Sequence, residues 1–154
     1  MAPNTGELLT ACKFYFQAQG IQDKFIKELS GLGVENTPAQ EIHGSGNRSA
    51  LVRQATPTVV KFTNITIKLV ATKDIQLYTW YKQCNEDMGD ARQWRDNRKE
   101  GNIYAYDQQN QIAAHWAIKY CYPVKYTGPT LTASSGEMAT ETLELVHEGI
   151  ERVQ

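Results

Sequence analysis

Gln111-Ile112-Ala113-Ala114-His115-Trp116-Ala117-Ile118-Lys119-Tyr120-Cys121-Tyr122-Pro123-Val124-Lys125-Tyr126 is the stretch that decides the fold. Ile112, Ala114, Trp116, Ile118, Tyr120, Tyr122, Val124 and Tyr126 share one parity. Gln111, His115, Lys119 and Lys125 take the other. Period two with aromatic and β-branched residues spells a strand with one wet face. Sixteen residues at ~3.3 Å each would extend ~53 Å. A compact chain of this length has a radius of gyration of only ~15 Å. The strand must therefore bend or reach past its own domain, and Pro123, which cannot donate to a ladder, marks a bend or an edge. Overreach of this kind implies pairing with another subunit.

Upstream, Asn102-Ile103-Tyr104-Ala105-Tyr106 and the turn Asp107-Gln108-Gln109-Asn110 complete a hairpin with it. Residues 91–100 are charged, with Arg92, Arg95, Arg98 and Lys99 around Trp94. Before them lies the single helix candidate. Asp74 can cap it, and Leu77, Trp80, Tyr81 and Cys84 recur at i, i+3, i+4 and i+7, with Asn85 to Gly89 as the stop. Thr58 to Val70 is β-branched, and its inward parity changes at Thr63-Asn64, which predicts a bulge or short turn. Residues 44–57, opening with Gly44-Ser45-Gly46-Asn47-Arg48-Ser49, are rich in turn formers and read as a long loop. Further upstream, strands are expected over 11–20 and 24–30, with a weaker segment from Val34 to His43. Residues 1–10 read as a loose arm.

Downstream, Gly128 to Gly136 is a turn-rich connector. Glu137 to Val153 fits two patterns. Leu143, Val146, Ile150 and Val153 suit a helix, whereas Ala139, Leu143 and Leu145 alternating with Thr142 and Glu144 suit a strand.

The bulk numbers exclude several classes. The chain has 154 residues, 41% hydrophobic and 21% charged, with a formal charge of −1. One domain over 1–154 can bury a sufficient core. The charge balance lacks the basic excess of a general nucleic-acid binder. Three scattered cysteines, Cys12, Cys84 and Cys121, make neither a disulfide framework nor a CxxC motif, and fit a reducing cytoplasm. The N-terminus lacks the basic and apolar regions of a signal peptide, and no apolar run is long enough to span a bilayer.

Catalytic motifs are missing: no GxSxG, no GxxxxGK[ST], no HExxH and no GxGxxG. His43, His115 and His147 have no ligand spacing. His115, on the polar parity of its strand, is expected to be solvated or lumen-side, and His147 beside Glu148 reads as a surface pair. Cys12 and Cys121 read as buried structural thiols. Glu86-Asp87-Met88-Gly89-Asp90 lacks the spacing of a calcium loop. Neither cofactor, metal nor catalytic group is assigned. The Arg92–Lys99 cluster reads as a charged face at a subunit boundary. Two readings of another class stay open: a small β-barrel enzyme or ligand binder using His115 or His147, and a nucleic-acid module using Arg92, Arg95 and Arg98.

The last third carries a specific resemblance. Tyr122-Pro123-Val124-Lys125-Tyr126, Gly128-Pro129, Leu131, Ala133-Ser134-Ser135 and Met138 through Ile150, with Glu141, Leu143, Glu144 and His147-Glu148-Gly149, resemble the C-terminal signature of the phage tail tube protein family. That family includes inner-tube proteins of extracellular contractile injection systems. Asn64-Ile65-Thr66-Ile67-Lys68-Leu69 and the short helix around Trp80 are similar to its middle. Many relatives have Trp where Tyr122 stands.

The resemblance implies a mainly β protomer: two packed antiparallel sheets, barrel-like, with one short flanking helix. It reads the C-terminus as a strand. It implies homohexameric rings stacked into a hollow tube inside a contractile sheath, with no enzymatic activity. The partners expected are other copies, sheath, baseplate or spike, a tube terminator and lumenal cargo. Assembly is expected in the bacterial cytoplasm, in a phage tail-like particle either released or membrane-anchored. An injection-system inner tube is favoured over a phage tail tube or a baseplate-proximal initiator. Gly44, Ser45, Gly46, Asn47 and Arg48 are the candidate ring-stacking loop.

Overall fold

The structure is a computed structural model. It describes residues 13–44, 51–85, 93–134 and 136–154. The resemblance-based architecture holds: the described chain is dominated by antiparallel strands with one α-helix.

Strands β1 (Lys13–Ala18) and β2 (Ile21–Ser30) form a hairpin across Gly20, whose φ is 77°. β3 (Val34–Asn36), β4 (Ala39–Gly44), β5 (Leu51–Thr56) and β6 (Val60–Phe62) follow. Then come β7 (Ile65–Val70), α1 (Gln76–Asn85), β8 (Lys99–Tyr106), β9 (Ile112–Thr127), β10 (Thr140–Val146) and β11 (Gly149–Arg152). A seven-stranded sheet runs β10-β7-β2-β1-β8-β9-β11, and β10 pairs with β9 as well. Six strands thus pair in a full circuit. β2 and β9 serve both walls. β2 gives its first half to β1 and its second half to β7. β9 gives its first part to β8 and β11 and its last part to β10.

β9 has the sixteen residues expected of it, and it bends without leaving the domain. Its inward parity is not continuous, contrary to the sequence reading. Ala114 and Ile118 point inward, but Cys121 and Pro123 take over beyond them. Tyr120, at φ 49°, is the switch. There, Lys99 pairs with Cys121 but Gly101 with Ile118, so β9 carries an extra residue. Such a bulge turns a strand and re-aims its side chains. A second irregularity lies where Glu144 opposes Lys125 but Leu145 opposes Pro123. Pro123, fully buried, sits where the ladder is already broken, the place a residue without an N–H is tolerated.

The core is the circuit's interior: Phe16, Ile26, Ile65, Ile67, Leu69, Ile103, Ile118, Leu143 and Leu145, with Leu77, Trp80 and Cys84 of α1. Asp74 caps the helix as expected, its Oδ1 accepting from the Gln76 N–H at 2.9 Å. The Trp80 indole donates to the Asn97 carbonyl (2.8 Å), and the Asn85 amide donates to the Pro123 carbonyl (2.6 Å). The Asp107 turn is also as read, with Oδ1 accepting from the Gln109 and Gln111 N–H groups at 2.8 Å each.

The segment read as a loop over 44–57 is in part a strand. β5 pairs with β4 from Ala39↔Thr56 to Gly44↔Leu51. Only the turn formers Ser45 to Ala50 lie between them, and these fall outside the described residues. β3 and β6 pair likewise, Val34↔Phe62 and Asn36↔Val60. Together they make a two-stranded ribbon over 34–62 whose strands pair only with each other. Every described side chain of β3 and β6 is exposed. Strands exposed on every described side chain, as β3 and β6 are, have no hydrophobic period to announce them. The change of parity at Thr63-Asn64, by contrast, is where β6 ends and β7 begins.

Candidate functional site

The C-terminal signature runs along β9, β10 and β11 and ties three parts of the molecule to the barrel. The first is the helix. Glu141, on the inward parity of β10, accepts a hydrogen bond from the Tyr126 hydroxyl. Tyr126 in turn packs edge-on to Tyr78 of α1 (5.4 Å between centroids). Lys24 pairs with Asp74 at the helix cap, 2.5 Å apart. That hydrogen bond pulls the Asp74 carboxyl below its ordinary range. Burial lifts Glu141 above its own, against the opposing pull of Tyr126. Burial raises Tyr126 as well.

The second is the base of the ribbon. His147 is buried, not a surface residue as the sequence suggested. Its Nε2 lies 3.0 Å from the Thr63 carbonyl, and its ring packs against Phe62 at 5.4 Å. Nδ1 is buried with no hydrogen-bond partner. The Asn64 amide donates to Glu144 Oε1 at 3.0 Å. Gly31 passes so close that a Cβ there would sit 2.1 Å from the Asn64 carbonyl oxygen. Sequence reasoning missed this clamp because its hydrogen-bonded partners lie 84 and 80 positions apart.

The third is the 94–98 turn. Glu148 pairs with Arg98, not with His147. The Arg98 guanidinium lies over Trp94 (5.3 Å) and Tyr120 (5.0 Å), and Trp94 packs against Tyr122. The Arg98 charge is therefore committed within the fold. Arg95 is exposed, and Arg92 lies outside the described residues. Leu143 is core, and Gly149 opens β11.

His115 is half-buried, stacked on Tyr104 (4.5 Å), with Nε2 2.9 Å from Asn102 Oδ1. Among the described residues, His115 and His147 hydrogen-bond Asn102 and the Thr63 carbonyl, not a Ser, Thr or Cys side chain. Among the described residues no three His, Cys, Asp or Glu side chains gather where they could hold a metal. Burial pushes the Cys84 thiol up to about 11 and Cys121 up to about 12, so both stay protonated at neutral pH. Cys12, and of the ring-stacking candidates Ser45, Gly46, Asn47 and Arg48, fall outside the described residues. Gly44 is the last residue of β4.

The family model for the T4-like virus tail tube protein gp19 matches residues 10–151. The chain belongs to that family. Its role is that of a structural tube protein. Solved structures share the fold. The PVC sheath-tube complex of an extracellular contractile injection system, in the extended state, contains a chain 17% identical with a TM-score of 0.73, covering 96% of this chain and 93% of that one. The PVC sheath/tube terminator structure gives 16% identity and a TM-score of 0.75, over 97% and 99%. Hcp1 from Flavobacterium johnsoniae is 22% identical with a TM-score of 0.58, over 92% and 95%. No curated protein matches in sequence.

Proposed function

We propose that this tail tube protein forms homohexameric rings that stack into the inner tube of a contractile injection system. The observation that carries this reading is the ribbon. A two-stranded ribbon is marginal alone in water, so a stretch paired only with itself and exposed on its described side chains calls for neighbours. The ring-stacking assignment therefore extends from Gly44–Arg48 to the whole of 34–62. A formal charge of −1 per chain lets six copies approach without strong repulsion.

The work of the tube comes from the sheath, so the protomer needs rigidity and pairing and not catalysis. Sheath, baseplate and terminator are its proposed partners, in line with the complexes in which its structural neighbours occur. Cargo would pass along the lumen. Assembly is proposed in the cytoplasm, with the particle then released or held at a membrane. Electron microscopy of the purified protein tests the reading. Sixfold rings or tubes are expected; a persistent monomer at all concentrations and in all assemblies would overturn it. Deleting Gly44–Ser49 should leave rings and impair stacking.

A further inference from the structure

The wall made by the second half of β2 with β7, β10 and the end of β9 turns Ile65, Ile67, Leu69, Leu143 and Leu145 inward. Its outer face is polar. Thr142 opposes Lys68 on one side and Thr127 on the other, which sets the three in one row across β7, β10 and β9. Beside that row β2 carries a bulge. Ile26 opposes Leu69 and Glu28 opposes Lys68, so Lys27 is the extra residue. A bulge re-aims the side chain it adds, and here Lys27 borders the same hollow as Lys68. The hollow holds about 710 Å³ between this wall and the 128–139 connector. Thr127, Thr130, Thr140 and Thr142 line it with the two lysines, and Leu131 and Met138 give it an apolar portion. Elsewhere in the barrel Lys24 is paired with Asp74, and Arg98 with Glu148. Among the described residues no carboxylate lies within ion-pair distance of Lys27 or Lys68. Glu28, across from Lys68, does not line the hollow, and Glu137, which does, has an interaction of its own.

We infer that this hollow is a binding site for an organic phosphate monoester, with the phosphate held by Lys27 and Lys68. Charge selects the group. Two ammonium groups on one wall repel each other, and a phosphate monoester at neutral pH brings a charge of about −1.5 to −2. A carboxylate neutralises only one of them. The donors agree, because both ammonium groups and the Thr hydroxyls can donate to phosphate oxygens. Lysine serves phosphate as a compact point charge, and the lining lacks the planar arginine fork that grips a carboxylate with two bonds. Leu131 and Met138 are 79% and 71% exposed. An organic body lying over them removes apolar surface from water. The site is contained in one chain, so it does not depend on the formation of rings or tubes.

The test titrates the full chain, in whatever assembly it adopts, with phenyl phosphate, inorganic phosphate and benzoate, read by calorimetry. Phenyl phosphate should bind saturably and most tightly, inorganic phosphate more weakly and benzoate least. Lys27→Ala and Lys68→Ala alter an exposed and a half-buried position, so the fold should be retained, as circular dichroism would verify. Each should weaken phenyl phosphate by roughly tenfold or more, and added salt should weaken its binding to the parent. Lys125→Ala removes an exposed lysine of the same wall that does not line the hollow, and should leave binding unchanged. Leu131→Ser should bring phenyl phosphate down to the level of inorganic phosphate. No saturable binding of phenyl phosphate, benzoate binding as tightly, or an equal loss in the Lys125→Ala protein would overturn the site. The tube reading stands or falls separately, by microscopy.

Discussion

Gly31→Ala gives the sharpest test of how the ribbon is held. Gly31 follows β2 at φ 91°, a region an L side chain enters at a cost of roughly 1–2 kcal/mol. Its new methyl would also meet the Asn64 carbonyl oxygen at 2.1 Å and the carbonyl carbon at 3.1 Å. Real Cβ atoms do not come so close to backbone, so 63–64 must move. That shift pulls Thr63 from His147 and Asn64 from Glu144, two hydrogen bonds of about 1 kcal/mol each. Even if relaxation recovers part of this, a loss of about 3 kcal/mol is expected, in the range of the more severe single substitutions. At roughly 2–4 °C per kcal/mol for a chain of this size, Tm should fall by about 6–12 °C. Gly33→Ala is the control. Its nearest neighbour would be Thr63 Oγ1 at 3.4 Å, an ordinary contact, and its effect should stay within about 1 kcal/mol. Calorimetry of both variants and tube counts by microscopy check the argument. A Gly31→Ala protein melting within 2 °C of its parent (below ~1 kcal/mol) would refute the clamp.

Trp80→Phe keeps most of the buried ring but leaves the Asn97 carbonyl without its indole donor; a loss of about 1–3 kcal/mol is expected by urea unfolding. Leu145→Ala, at a fully buried position, should cost about 2–5 kcal/mol and lower protomer and ring stability together. Acid should act through Asp74. Its carboxyl is held below the ordinary 3.8, so its contribution is present above that pH and lost as pH falls through the folded value. The stability difference between the parent and Asp74→Asn should therefore shrink below pH 3.8; an unchanged difference down to pH 2 would count against the Lys24 pairing. Glu141, raised in the fold, acts with the opposite sign, favouring the folded state when protonated. In a Cys12→Ser protein, Cys84 and Cys121 should resist iodoacetamide until the chain unfolds, as mass spectrometry would show.

What the sequence made legible follows where burial writes a period. Ile65, Ile67 and Leu69 alternate because one face of β7 is buried, and α1 repeats at 3.6 for the same reason. The Asp107 turn and the Asp74 cap were readable because their hydrogen bonds are local. β5 was not readable, since the turn formers before Leu51 and Pro57 after Thr56 hid a strand whose partner is β4. The break in β9 at Tyr120 escaped too, because Tyr120 and Tyr122 continue an aromatic pattern on the face that has just become the outside. His147 shows the limit most clearly: beside Glu148 it looks like a surface pair, and only the long-range approach of Phe62 and Thr63 buries it. The C-terminal strand assignment needed the family resemblance, since its apolar residues satisfy both periods.

The two strands shared between the walls have a mechanical consequence. β9 is hydrogen-bonded along nearly its full length, to β8 and β11 and then to β10. A pull along such a strand loads its ladder in shear, with many bonds resisting together. A pull across it would peel them one at a time. A protomer joined in this way is stiff along the direction of β9 and yields first where that strand ends, at the connector and the Asp107 turn.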